Sequence, residues 1–182
     1  MEKEIGPIKT KRLLLREIVD SDIQNIYNGL SNPLVIKHYG VSCKDLDSAK
    51  QQMLWYKKAS QYWWAICSTD NQEFYGAGGL NDISKEHRKA EIGLWLLPDF
   101  WGKGIMSEVL PLICKYAFDK MRLHRIEGYV ESNNENCKRA MSKLDFEHEG
   151  TMKDCEIKNG QYISVDIYAK LKKYKPGTNR VE

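Results

Sequence analysis

Gly102-Lys103-Gly104 lies between a run of apolar residues and a stretch with helical spacing. Glycine tolerates the left-handed backbone that a tight turn demands, and it lets a ligand approach the main chain closely. A helix that starts at such a turn presents free N–H groups and a partial positive charge, which together bind phosphate or pyrophosphate. The run Ala90–Ser107 therefore reads as strand, glycine turn and helix start, the chemistry of a nucleotide-containing cofactor site. Gly102-Lys-Gly104-Ile-Met-Ser107 comes close to the dinucleotide pattern G-x-G-x-x-G, with Glu127 about 20 residues on, but its last glycine is missing. The phosphate loop G-x-x-x-x-G-K-[ST] is absent. NAD and ATP are thus disfavoured.

The elements that must position this turn can be traced along the chain. Residues 12–18 read as a strand. Asp20 or Ser21 can cap a helix carrying Ile23, Ile26, Tyr27 and Leu30, which Ser31-Asn32-Pro33 should stop. A second helix is expected over 45–60, and strands over 62–67 and 74–80 are joined by a turn at Thr69-Asp-Asn-Gln. After the strand at 90–97, Met106, Val109, Leu110, Ile113 and Ala117 form an apolar helical stripe that continues past Pro111. A strand at 125–131, a helix at 134–143 and a hairpin of 146–153 with 162–171 complete the order, with Asn159-Gly160 as the hairpin turn. Hairpin-connected strands mixed with crossover helices predict an α/β (α+β) fold: a mixed six- or seven-stranded sheet with helices on both faces.

With 182 residues, the chain reads as one domain over 1–172 with a mobile basic tail over 173–182. A net charge of +3 does not argue for nucleic acid, though it suits an anionic cofactor. No apolar run suits a signal peptide or a membrane span, so a cytoplasmic protein without a membrane partner is expected. The five cysteines are scattered and the four histidines lack metal spacing, so no metal is expected.

Three blocks resemble the RimJ/RimL-type N-acetyltransferases of the GNAT superfamily. They are Thr10-Lys-Arg-Leu-Leu-Leu-Arg16, then Ala90–Leu96 followed by Trp101-Gly-Lys-Gly-Ile-Met-Ser-Glu108, then Asn134-Glu-Asn-Cys137 with Lys143-Leu-Asp-Phe146. The resemblance implies a GNAT fold and acetyl-CoA (coenzyme A) as cofactor. Its pyrophosphate would lie on Trp101, Gly102, Lys103, Gly104, Ile105, Met106 and Ser107. Met106 stands where the family usually has Gly or Ala, Cys137 where it has Ser, and Asp145 where it has Gly; Asp145 is expected to be left-handed. The resemblance further implies that the strand over 94–97 splays from its neighbour at 126–130, with main-chain N–H groups at Leu96 and Leu97 on the thioester.

Two side chains are candidates for catalysis. Glu91 would be the general base, on one strand face with Gly93, Trp95 and Leu97, with open space left at Gly93; the alternative is a Glu paired with Lys89 or Arg88. Cys137 would donate a proton to the leaving sulfur, with a thiol lowered by a helix N-terminus, or else be a small buried residue. Asn134 would orient the cofactor, cap a helix, or both, and the family's usual tyrosine acid falls at Met141. The implied activity is acetyl transfer to a primary amine, either a protein N-terminus or a small molecule, in a chain that by analogy could be a homodimer. The competing reading is a non-catalytic acyl-CoA-binding sensor.

Overall fold

A computed structural model describes residues 6–173. The N-terminal half contains β1 (Ile8–Lys9), β2 (Leu13–Glu17), α1 (Ile23–Leu30), α2 (Pro33–Ile36), α3 (Leu46–Tyr56), β3 (Tyr62–Ser68) and β4 (Phe74–Ser84). It is followed by β5 (Lys89–Leu96), α4 (Ile105–Asp119), β6 (Arg125–Glu131), α5 (Glu135–Lys143), β7 (Glu147–Lys158) and β8 (Gln161–Leu171). The strands form one sheet in the order β1-β2-β3-β4-β5-β6-β8-β7. Every neighbouring pair is antiparallel except β5 and β6, which the crossover through α4 makes parallel.

The sheet has eight strands rather than six or seven. The extra strand is β1, two residues long and without an apolar pattern of its own. It forms because the chain folds back at Thr10, whose N–H donates to Leu13 O at 2.9 Å. The 174–182 part of the expected tail lies outside the described residues.

Packing on both faces explains why β3 lacks polar alternation. Trp64 and Ile66 face the layer of α4, where Val109, Leu110, Ile113 and Ala117 are buried. Trp63, Ala65 and Cys67 face α1 and α3, against Ile26, Leu30, Ala49 and Met53. A strand buried on both faces reads as a continuous apolar run.

Local signals behave as their chemistry predicts. Asp45 caps α3 by accepting the Ser48 N–H at 2.7 Å, while Ser48 Oγ accepts the Asp45 N–H at 3.0 Å. That helix ends at Tyr56 rather than near 60, because Lys57 and Lys58 bond back to Leu54 and Trp55 in a tighter turn. Asn32 ends one helical segment and caps another, since Pro33 is pre-set for a first helical position; α2 is the result. Asn159 (φ 52°) and Gly160 (φ 76°) make the hairpin turn, and β7 runs all the way to it. Helix α4 passes through Pro111 without stopping, and Asp145 is left-handed at φ 58°.

Candidate active site

The sheet opens beside β5. This strand pairs with β6 only at Lys89–Arg125, Ala90–Ile126 and Glu91–Glu127. Beyond that point β5 stays with β4 as far as Leu96, while β6 stays with β8 as far as Glu131. Among the described residues, the resulting gap leaves main-chain groups of β5 without a strand partner on that side. Leu97 N–H donates to Tyr75 O at 2.8 Å. Because antiparallel bonding alternates, the odd-numbered groups of β5 face β4 and those of Leu94 and Leu96 face the gap. The Leu97 N–H expected on a thioester is therefore committed within the sheet, which leaves Leu96. The Leu96 carbonyl accepts the Trp101 indole N–H at 2.8 Å, tying the end of the strand to the turn that follows.

That turn needs its glycines for backbone reasons. Gly102 and Gly104 have φ of 71° and 73°, and a side chain at Gly102 would meet nothing within 4 Å. Gly104 caps α4 without offering a side-chain acceptor, so the N–H groups of Ile105, Met106 and Ser107 are left for a ligand. Met106, the one bulky departure from the family pattern, packs its side chain against the α4-side core. Lys103 is exposed, its ammonium 5.0 Å above the Phe100 ring. A small cavity beside the turn carries Arg12 and Lys103 on its rim.

A brace that sequence reasoning missed holds this turn. Arg12 donates from Nη1 to Lys103 O at 2.9 Å and from Nε to Glu108 Oε2 at 2.7 Å. Thr10 Oγ1 donates to Glu108 Oε1 at 2.6 Å. The first block thus buttresses the second from 91 to 98 residues away. The only available sequence signal was the position of Arg12 inside that block; its partners could not be read.

Glu91 stands at the last β5–β6 pair, where the gap begins. Neither cation expected as an alternative partner reaches it. Lys89 bonds both Glu127 oxygens at 3.2 Å, with Arg125 Nε also on Glu127 at 2.7 Å, and Arg88 Nε donates to Arg122 O at 3.0 Å. Among the described residues Glu91 has no ion pair, and its hydrogen-bond partner is Asn81, whose Nδ2 lies 3.5 Å from Oε1. Burial pushes the Glu91 carboxyl up, and the charges of Asp82, Glu127 and Glu156 push the same way against the Asn81 bond. The space beside Gly93 is not open: a Cβ there would lie 2.8 Å from the Trp63 ring. Trp63 reaches across because β3 places it on the same face, and it forms one wall behind the carboxylate.

Cys137 is the third residue of α5, and its backbone N–H donates to Asn134 Oδ1 at 3.1 Å. Asn134 is therefore a helix cap. The thiol packs partly buried against the core, and burial pushes it up to about 11. This direction is opposite to the lowering expected from the helix start, and burial is its cause. Met141, in the family's tyrosine position, is buried against Gly128. Further out, Glu131 at the end of β6 bonds His38 Nδ1 at 2.8 Å and pairs with Lys158, joining the α2 loop to the β7–β8 hairpin.

A parallel strand pair that parts next to a glycine turn at a helix start offers main-chain N–H groups to an extended ligand carrying a pyrophosphate, such as coenzyme A. The turn, the uncapped N–H groups and the gap all fit that cofactor. Residues 12–147 match the acetyltransferase (GNAT) domain family, and the chain belongs to it. It is 30% identical over 172 residues to an uncharacterized N-acetyltransferase, YoaA, of Bacillus subtilis (strain 168), covering 91% of this chain and 96% of that one. A GNAT-family acetyltransferase from Bacillus anthracis superposes with a TM-score of 0.81 at 25% identity, covering 91% and 98% of the two chains. A spermidine N-acetyltransferase from Vibrio cholerae, solved with CoA and spermine, shares the fold with a TM-score of 0.82 at 21% identity, covering 89% and 96%. The protein is an acetyl-CoA-dependent N-acetyltransferase. Among the described residues no helix is long and apolar enough to cross a membrane.

Proposed function

We propose that the chain is a RimJ/RimL-type enzyme that acetylates a primary amine by direct attack on the thioester, with Glu91 as the general base. The observation that carries this reading is a partly buried carboxylate, unpaired with any cation among the described residues, at the point where β5 and β6 part. An amine nucleophile must lose a proton, and a carboxylate raised by burial is a better acceptor for it than an exposed one. Acetyl-CoA supplies the thioester carbonyl and a thiolate leaving group when bound. The N–H groups of Ile105, Met106 and Ser107 receive the pyrophosphate on the turn formed by Trp101, Gly102, Lys103 and Gly104. Leu96 N–H, facing the gap, orients the carbonyl. Cys137, kept protonated by burial, donates toward the sulfur, and Asn134 holds the helix start that carries it.

The acceptor is a polyamine-like small molecule or a protein N-terminus, taken up by one domain extending to about residue 172, in a homodimer. The fold shared with a spermidine acetyltransferase makes spermidine the first amine to test. Thiol release from acetyl-CoA, measured over a panel of spermidine, amino acids, aminoglycosides and Ala-initiated peptides, decides the acceptor. In that assay Glu91→Gln lowers kcat by roughly a hundredfold or more and removes the acidic limb of the pH profile, with CoA binding retained. Unchanged turnover across pH eliminates Glu91 as the base. Tight CoA binding without thiol release on any amine would mark the protein as a sensor instead.

A further inference from the structure

The Glu91 carboxylate does not stand alone. Behind it lies a polar relay that begins at an indole. Trp63 Nε1 donates to Asn81 Oδ1 at 2.7 Å, and Asn81 Nδ2 then faces Glu91 Oε1 at 3.5 Å. Indole nitrogen is a donor only, so the amide oxygen must turn toward Trp63 and the amide NH₂ must turn toward Glu91. The order of the relay follows from this chemistry. Trp63 is almost fully buried, between the rings of Trp55 and Tyr56 and the seat left by Gly93, so it cannot swing away.

The backbone of Asn81 is held as firmly. The next residue, Asp82, is left-handed at φ 48° where the β4–β5 register shifts. Buried Gln61 clamps it from both sides: Nε2 donates to Asp82 Oδ1 at 3.1 Å, and Oε1 accepts the Asp82 N–H at 3.3 Å. The regular pairing sets Asn81 opposite Glu91 as its last pair, and the shift follows directly after it.

We propose that Asn81, itself oriented by Trp63, is a positioning residue that aims the Glu91 carboxylate into the gap and favours its ionised form. The proposal rests on the reading of Glu91 as the base. The groups facing Glu91 otherwise oppose ionisation. Asp82 on β4, Glu127 on β6 and Glu156 on β7 each bring negative charge, with Glu127 largely answered by Lys89 and Arg125. Tyr39, after α2, and Tyr129, on β6, are phenols pushed up first by burial and also by the charge of Glu91. Asn81 is the one neighbour, among the described residues, with a donor on the carboxylate. Without it the carboxyl keeps its proton to higher pH.

Carboxyl-13C NMR of the full chain, with the Glu91 signal assigned by its loss in Glu91→Gln, tests this without any acceptor. Asn81→Ala is expected to move the Glu91 titration to higher pH by about half a unit or more. Asn81→Asp keeps the acceptor for Trp63 but replaces the donor by a like charge, and is expected to move it further. Trp63→Phe keeps most of the ring packing but removes the N–H, and is expected to shift the titration in the same direction by less. With acetyl-CoA, and spermidine and an Ala-initiated hexapeptide as probe amines, the acidic limb of kcat/KM follows these shifts while CoA affinity stays put. A Glu91 titration unmoved in both Asn81 variants overturns the proposal. If the Asn81 variants shift it and Trp63→Phe does not, the Trp63 half of the relay is overturned. A Glu91→Gln protein with an unaltered pH profile overturns instead the reading of Glu91 as base, whatever Asn81 does.

Discussion

Arg12→Ala removes the brace on the pyrophosphate turn without touching the turn itself. Two bonds are lost, one to Glu108 at 2.7 Å and one to Lys103 O at 2.9 Å. The Arg12 and Glu108 side chains are 51% and 29% exposed, so water and salt screen their pair to about 0.5 kcal/mol. The guanidinium–carbonyl bond adds about 1 kcal/mol at such an exposed position. If this sum of about 1.5 kcal/mol holds the turn in its binding geometry, its loss weakens CoA roughly tenfold. Neither bond reaches the reacting atoms, so kcat at saturating acetyl-CoA stays unchanged. Thr10→Val, which removes the 2.6 Å bond to Glu108 but leaves Arg12 on Lys103, weakens CoA by roughly threefold or less. Titration calorimetry with CoA at low and high salt reads both variants. Affinity unchanged in Arg12→Ala refutes the brace. A fall in kcat at saturation with affinity intact refutes it too, since the residue would then be acting on the chemistry.

Other consequences follow from the same geometry. Burial raises the Glu91 carboxyl, so the folded chain holds a proton that the unfolded chain has already released, and stability present at low pH is lost as pH rises through the folded value. Glu91→Gln should therefore melt higher than the parent at neutral pH, with the gain gone below about pH 4; a lower melting temperature at neutral pH would count against the desolvation argument. With its thiol held up at about 11, Cys137 should resist iodoacetamide at neutral pH while exposed Cys155 is alkylated. Peptide mass spectrometry showing Cys137 labelled first would refute this. Gly128→Ala puts a Cβ 2.3 Å from the terminal methyl of buried Met141, which must shift at a cost of about 1 kcal/mol, or a Tm lower by about 2–4 °C. A thermal melt matching the parent would show that Met141 yields freely.

What could be read from the residues was local in origin. The Gly102–Gly104 turn, the helix start near Asp45, the Asn159-Gly160 hairpin and the left-handed Asp145 each depend on backbone preferences within a few residues, and each occurs. The three family blocks also named the cofactor turn and Glu91. Errors arose where a distant partner decides. The strand β1 exists only because β2 lies beside it, and Leu97 loses its N–H only because Tyr75 is across the sheet. Gly93 looked like open space until β3 placed Trp63 over it. Cys137 looked activated by its helix until packing buried it, and desolvation is a property of the surroundings rather than of the helix.

The sequence by itself determined the glycine turn, the helix that starts from it and the class of chemistry they serve, because backbone conformation and N–H direction are set within a few residues. Only the tertiary structure decided what holds that turn and what surrounds the base. Arg12 reaches the turn, and Trp63 and Asn81 reach Glu91, by pairings across the sheet, whose register depends on burying both faces of β3 at once.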